Sequence, residues 1–194
     1  MILLLDCFDS FSYNLWHYLQ AGGAQCIVVR EDEADIGRLS DMPLSGIVIS
    51  PGPQSPQDHP FIFRLLEEMA GKVPILGICL GFQAIGQFAG MELIKAPVPF
   101  HGKVSQIFHN GHAMFHNITS PFSVTRYHSL CLKSEQNDMI EITARTKEGL
   151  PMSLSVRDHL IWGHQFHPES ILTTDGQTLV ENWLRAVPLN LGIL

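Results

Sequence analysis

The feature that most constrains this chain is an apolar run that breaks at a Gly-x-Cys-x-Gly sequence and then continues with helical spacing. Residues 74–78 predict a buried strand, and the residues after Cys79 predict an apolar helix. Glycines two residues either side of Cys79 suit a sharp strand-to-helix turn, because such a turn crowds neighbouring Cβ atoms. The helix amides would favour a thiolate. We interpret the segment as a nucleophile elbow that carries a thiol, with a buried structural cysteine as the alternative.

Strands and helices alternate through the first ninety residues. Strands are predicted at residues 2–5, 25–29, 46–50 and 74–78, and helices at residues 9–19, 61–69 and after Cys79. This alternation predicts a three-layer α/β fold, a flavodoxin-like, mostly parallel open sheet with helices on both faces. Ligands of such sheets bind at the carboxyl ends of the strands.

The second half of the chain has a different pattern. Short alternating runs at residues 104–108, 123–127, 140–145, 152–156 and 161–165 predict antiparallel additions to the sheet, before a last helix near 176–186. A length of 194 residues with 45% hydrophobic residues suits one domain, which we assign to residues 1–187, with a C-terminal tail at 188–194.

Composition excludes several classes of function. The apolar residues 1–5 are too few for a signal peptide or a membrane span, so no membrane association is expected. A net charge of −7 without a Lys/Arg run argues against nucleic-acid binding. Four cysteines without a Cys-x-x-Cys pair indicate neither a disulfide framework nor a zinc knuckle, and they suit the cytoplasm.

Ten histidines require a check for metal ligands. His109, His112 and His116 have separations of three and four, but the Asn110-Gly111 turn signal breaks the helix that would align them. We therefore expect a solvated loop and no metal site there. The other cysteines lie in apolar strand contexts, and we expect them to be inert core thiols: Cys7, Cys26 and Cys131.

A second chemical segment lies near the C-terminus, where His167-Pro168-Glu169 follows a predicted strand. In extended backbone, residues two apart share a face, so His167 and Glu169 would point the same way. A cysteine nucleophile needs a base to take its proton and a third group to orient that base. His167 and Glu169 are candidates for these roles, and an ordinary loop is the alternative.

A third segment, Pro51-Gly52-Pro53, also follows a strand. Because proline has no amide hydrogen, Gly52 carries the one N–H donor of this turn. Acyl chemistry needs two donors where the oxyanion forms, and the amides of Gly52 and Leu80 would supply them. A plain tight turn is the alternative.

Together, these segments resemble the class I, or Cys-His-Glu, glutamine amidotransferase family over nearly the whole chain. Further segments are similar to the subgroup that serves anthranilate synthase and aminodeoxychorismate synthase. They are Asp9-Ser10-Phe11-Ser12-Tyr13-Asn14-Leu15, Ser50-Pro51-Gly52-Pro53, His101-Gly102-Lys103, Arg126-Tyr127-His128-Ser129-Leu130 and His167-Pro168-Glu169-Ser170.

The resemblance implies a catalytic role for each matching residue. Cys79 would be the nucleophile, His167 its base and acid, and Glu169 the group that orients His167. The oxyanion donors would be the amides of Gly52 and Leu80.

The glutamine-binding positions of the family fall on Gly52, Gln83, Ser129 and Leu130. Gln83 also follows from spacing, since it lies four residues after Cys79 on the predicted helix. The resemblance implies no cofactor and no metal.

The implied function is that of a glutaminase subunit that passes ammonia to a separate chorismate-binding synthase subunit. Overall likeness favours aminodeoxychorismate synthase, with anthranilate synthase as the alternative, and no single residue separates the two. The resemblance also implies that the aromatic helix near residues 10–19 faces the partner. Three other functions stay open: a stand-alone γ-glutamyl hydrolase, a non-catalytic interaction protein, and a redox-sensing thiol protein.

Overall fold

The computed structural model describes residues 1–134, 138–157 and 159–188, and within these residues a nine-stranded sheet forms the centre of the fold. The strands are β1 Ile2–Asp6, β2 Cys26–Arg30, β3 Gly46–Ile49, β4 Ile75–Ile78, β5 Leu93–Lys95, β6 Lys103–His109, β7 Phe122–Arg126, β8 Leu130–Leu132, β9 Ile140–Thr146, β10 Pro151–Val156 and β11 Ile161–His164. The α-helices are α1 Ser12–Ala21, α2 Ile36–Asp41, α3 Pro60–Met69, α4 Leu80–Phe88 and α5 Gly176–Leu184.

The sheet has a parallel half and an antiparallel half. Its strand order is β2-β1-β3-β4-β11-β10-β9-β6-β7. Neighbouring strands from β2 to β11 pair in parallel, and those from β11 to β7 pair antiparallel. The predicted fold, an open parallel sheet with antiparallel additions in the C-terminal half, is therefore confirmed. The parallel half places the ends of β3, β4 and β11 side by side.

Each face of the parallel strands packs against helices. Alternate residues of β1 show the division, because Leu4 packs with Leu15 and Leu19 of α1, and Leu3 and Leu5 belong to the opposite layer. That opposite layer also contains the buried residues of α3, and α5 contributes to the layer of α1. Burial on both faces explains why these strands read as continuous apolar runs.

Three local features differ from the sequence-based expectations. Helix α1 begins at Ser12 because the preceding acidic residues form their own turns: Asp9 accepts from the Phe11 amide at 2.8 Å, and Asp6 accepts from the Ser12 hydroxyl at 2.7 Å. Helix α2 and the small β5–β8 sheet were not predicted. Six and three residues are too short to show a clear period.

No helix in the described part of the chain is long and apolar enough to span a bilayer. Of the predicted tail at 188–194, residues 189–194 lie outside the described residues.

The turn between β4 and α4 has a strained backbone. Cys79 adopts φ 51° and ψ −94°, in a backbone region that residues other than glycine rarely occupy. A Cβ at Gly77 would lie 2.5 Å from the carbonyl oxygen of Gly81, and a Cβ at Gly81 would lie 2.6 Å from the oxygen of Ile49. The two glycines therefore permit the close approach of strand and helix that this turn requires, as the sequence predicted.

Gly77→Ala should lower the free energy of unfolding by about 3 kcal/mol, because the added methyl group meets backbone that cannot move aside. The matched control is Gly37→Ala in α2, where the methyl group meets only the Asp35 side chain at 3.3 Å and alanine favours the helix. Urea unfolding of both variants measures the difference. Equal stability of the two variants would contradict this account of the turn.

Candidate active site

The site lies where β3, β4 and β11 end together. Cys79 follows β4 directly, and its amide donates to the carbonyl of His164, the last residue of β11, at 2.8 Å. This bond fixes the cysteine beside the segment that carries His167. Gly52 lies beyond β3, on the other side of β4. The order of the strands thus brings three segments distant in sequence to one edge of the sheet, as expected for such sheets.

A cavity of about 180 Å³ opens at this edge. It is lined by Gly52, Pro53, Gln54, Cys79, Leu80, Gln83, Tyr127, His128, Ser129 and Leu130. The structure therefore gathers the predicted nucleophile, both predicted oxyanion donors and all the predicted glutamine-binding residues around one cavity. Its lining is mostly polar, which suits a small polar ligand.

His167 and Glu169 form a buried pair. Nδ1 of His167 and Oε1 of Glu169 are 2.6 Å apart, and both side chains are almost fully buried. They line an adjoining cavity of about 390 Å³, and Tyr127 lines both cavities. The Tyr127 ring packs edge-on against the His167 ring with centroids 5.1 Å apart. The structure thus places the histidine and the carboxylate together, as their spacing predicted.

The charges around His167 favour its protonated form. Burial opposes a charged imidazolium, but the Cys79 sulfur and the Glu169 carboxylate outweigh it and raise the pKa of His167 well above its ordinary value. Apart from the Cys79 sulfur, the Nε2 atom has no hydrogen-bond partner among the described residues. With Nδ1 held by Glu169, Nε2 is the ring atom that can exchange a proton with the thiol or with a ligand.

The Gly52 amide is held in direction by its neighbours. The Ser50 hydroxyl accepts from the Cys7 amide at 2.9 Å and donates to the Pro51 carbonyl at 2.6 Å. Because that carbonyl and the Gly52 N–H belong to one planar peptide, fixing the oxygen also fixes the N–H. A Cβ at Gly52 would lie 2.6 Å from the carbonyl oxygen of Cys7, which is backbone, so glycine is needed for the close approach of this turn to the segment after β1.

Gln165 is a site residue that the sequence reasoning missed. Its Nε2 lies 3.7 Å from the Cys79 sulfur, and its Oε1 accepts from Gln83 Nε2 at 3.2 Å. Gln83 also donates to the carbonyl of Leu130 at 3.2 Å. The spacing of two residues could have predicted Gln165, since residues 165, 167 and 169 would share one face of an extended segment.

Arg126 and His128 were also missed as individual site residues. Arg126 Nε donates to His128 Nε2 at 3.0 Å, and His128 Nδ1 donates to the Leu130 carbonyl at 2.7 Å. Burial, and then the Arg126 charge, lower the pKa of His128 to about 4, so this ring is neutral near pH 7. The neutral ring fixes the shape of the segment that includes Ser129.

The remaining histidines and cysteines have other surroundings. His109 stacks on Phe115 with centroids 4.6 Å apart, and His112 Nδ1 accepts from the Met114 amide, so these two rings have separate local partners. All four cysteines of the chain are free. Burial raises the pKa of the Cys26 thiol to about 12 and also raises the pKa values of Cys7 and Cys131, so none of these three thiols is activated as a nucleophile.

Comparison with known families decides the family. The family model described as "Glutamine amidotransferase class-I" matches residues 3–187. The chain belongs to the class I glutamine amidotransferases. This assignment confirms the resemblance drawn from the sequence, and the bounds of the domain, residues 1–187, stay a prediction.

Curated relatives of this amidotransferase cover nearly all of the chain. Anthranilate synthase component 2 of Azospirillum brasilense is 44% identical over 186 residues, which cover 95% of each protein. Aminodeoxychorismate synthase component 2 of Serratia marcescens is 41% identical and covers 95% of this chain and 99% of its own. A Bacillus subtilis relative, 40% identical over 95% of each protein, is named aminodeoxychorismate/anthranilate synthase component 2.

A solved structure from Thermoplasma acidophilum, described as one subunit of a GMP synthase, shares the fold of this amidotransferase with a TM-score of 0.85. It is 23% identical and covers 95% of this chain and 92% of its own.

Glu169→Gln should destabilise the amidotransferase more at pH 6 than at pH 10. A raised pKa in the folded state means that the His167 proton stabilises the fold fully below the unfolded value, near pH 6.5, and that this contribution is lost as pH rises through the folded value. Removing the carboxylate lowers the folded pKa and shrinks the contribution. Urea unfolding at both pH values measures it, with Glu181→Gln as control. A pH-independent difference would contradict the prediction.

Proposed function

We propose that this chain is the glutaminase component of a chorismate-aminating synthase. The observation that carries the proposal is the strained Cys79 elbow, which lies against the polar cavity of about 180 Å³ with the His167–Glu169 pair beside it. Membership of the class I family and relatives named as component 2 of two such synthases support the same function.

In the proposed reaction, the Cys79 sulfur attacks the side-chain amide carbon of glutamine. The oxygen of that amide becomes an oxyanion, and the amides of Gly52 and Leu80 stabilise it. His167 then donates its proton to the amide nitrogen, which leaves as ammonia, and a γ-glutamyl thioester forms on Cys79. Glu169 keeps the His167 ring oriented through Nδ1.

Hydrolysis of the thioester completes the cycle. Water enters, His167 takes one of its protons, and the hydroxide attacks the thioester carbon. Collapse of the second oxyanion breaks the carbon–sulfur bond and releases glutamate, and the cysteine is ready for another glutamine. Every proton in this sequence passes through His167, and no cofactor is required.

The ammonia is proposed to pass to a separate synthase subunit. The cavity beside His167 is bordered by exposed apolar side chains, Phe11 and Ile171 among them, and Tyr127 lines both this cavity and the proposed glutamine cavity. An exposed apolar border of this kind suits a protein partner. We expect little glutaminase activity without that partner, since ammonia released to water would be wasted. We also propose that the protein is located in the cytoplasm.

The finer assignment is aminodeoxychorismate synthase first and anthranilate synthase second, and it rests on overall likeness. Relatives with each name are 40–44% identical, and one name includes both activities.

A stand-alone γ-glutamyl hydrolase would cleave γ-glutamyl peptides rapidly without a partner. A non-catalytic interaction protein would leave Cys79 unreactive towards a glutamine-analogue electrophile. In a redox sensor, glutamine would not protect Cys79 from alkylation.

Cys79→Ser and His167→Ala should each lower kcat for glutamine hydrolysis, measured with the partner subunit present, by at least about 10³-fold. The first removes the nucleophile, and the second removes the group that moves its proton. His112→Ala, at a half-buried histidine away from the cavity, is the matched control and should keep wild-type activity. Undiminished ammonia release by the Cys79 variant would refute the assignment of the nucleophile.

The chain, isolated with its natural partner and given glutamine and chorismate, should form aminodeoxychorismate, because overall likeness favours that synthase. Chromatography of the products measures this. If the product is anthranilate, the chain is the component of an anthranilate synthase and not of an aminodeoxychorismate synthase. The absence of any aminated product would contradict the proposed function.

A further inference from the structure

A second cluster of chemically active side chains lies beneath the oxyanion loop, which we define as residues 50–53. It consists of Cys7, Glu31 and His59, and one donor atom from each lies within 4.8 Å of the other two. All three side chains are buried. Among the described residues, no other group of three possible metal ligands is this compact. The mechanism above uses none of these side chains.

The three ligands come from three successive loops at one edge of the sheet. Cys7 follows β1, Glu31 follows β2, and His59 immediately precedes α3. Because they are distant in sequence, their spacing contains no metal-binding signature, and this explains why the sequence predicted no metal here.

The His59 ring is oriented as a metal-binding histidine would be. Its Nε2 donates to the carbonyl of Pro53 at 3.0 Å, and its Nδ1 faces Glu31 Oε2 at 2.5 Å. Histidines that bind metal ions commonly donate their second ring N–H to a backbone carbonyl or a carboxylate, which orients the ring. Nδ1 is thus the ring atom directed at the cluster.

The three donor atoms lie within 4.8 Å of one another, so the widest separation would close by up to about 1.5 Å around an ion. A tetrahedral zinc ion with bonds of about 2.0–2.3 Å holds its donor atoms about 3.3–3.6 Å apart. The Glu31–His59 contact would therefore open by less than about one ångström when an ion replaces the proton that these two groups share. A cavity of about 500 Å³ lined by Glu31 and His59 leads from the surface, and it can supply a water molecule as the fourth ligand.

We propose that Cys7, Glu31 and His59 form a binding site for a thiophilic divalent cation of the Zn²⁺ class. Thiolate and imidazole favour such ions over the hard ions Mg²⁺ and Ca²⁺, which select oxygen ligands. The ion would tie the loops after β1 and β2 to His59, which itself holds Pro53. The site is separate from the glutaminase chemistry, and its existence does not depend on the proposed function.

The oxyanion loop would share in the effect of the ion. A Cβ at Gly52 would lie 2.6 Å from the Cys7 oxygen and 3.0 Å from Cys7 Cβ, so the loop already packs directly on Cys7. His59 contacts the same loop through the Pro53 carbonyl. An ion that fixes both residues stiffens this loop and raises the thermal stability of the chain.

The test uses Co²⁺ as a spectroscopic substitute for Zn²⁺, added to the chelator-treated full chain. The Cys79→Ser variant is the starting protein, because it removes the catalytic thiol as a competing ligand. One equivalent of Co²⁺ should produce a thiolate-to-metal charge-transfer band, and Zn²⁺ should abolish it. Zn²⁺ should also raise Tm by several degrees, whereas Mg²⁺ should not.

Further single substitutions, each added to the Cys79→Ser variant, show which residues bind the ion. Cys7→Ser should remove the charge-transfer band, and His59→Gln and Glu31→Gln should weaken binding at least about 10-fold. Cys131→Ser, at another buried cysteine, is the matched control and should keep the band. Circular dichroism checks that each variant is folded. If Cys7→Ser does not fold, the Glu31 and His59 variants still show whether the ion binds at this cluster. Absence of the band, or a band unchanged in all three ligand variants, would overturn the proposal.

Discussion

The close approach of β4 and α4 is the constraint on which the rest of this structure depends. It requires glycine at position 77, while glycine at position 81 lets α4 approach β3, and the turn forces Cys79 into a backbone conformation that residues with side chains rarely adopt. This strained conformation places the Cys79 sulfur at the beginning of α4 and at the edge of the sheet. Every other group of the site is arranged around that fixed atom.

Two kinds of support surround the cysteine. Hydrogen bonds orient the polar groups: Glu169 holds the His167 ring, Ser50 fixes the peptide of Gly52, and His128 shapes the segment that ends at Leu130. Burial and neighbouring charges then distinguish His128 and His167. The environment raises the pKa of His167 and lowers that of His128, so one ring can carry a proton in the reaction while the other remains a neutral structural link.

The sequence predicted the parallel half of the sheet, the elbow and the gathering of the proposed triad, because these depend on local patterns and on the rule that parallel strands end together. Gln165 was missed although its signal was present, since the same-face argument that linked His167 and Glu169 includes it. The cluster of Cys7, Glu31 and His59 could not be predicted. Three loops distant in sequence form it, and only their packing brings the side chains together.

The central claim is that the strained Cys79 accepts the glutamyl group of glutamine. Rapid acid quenching of the chain and its partner during turnover, followed by mass spectrometry of the digested protein, tests this claim most directly. The account predicts a glutamyl thioester on the peptide that contains Cys79, absent when glutamine is omitted. Steady release of ammonia with no glutamyl group on that peptide, or with the group on another residue, would contradict it.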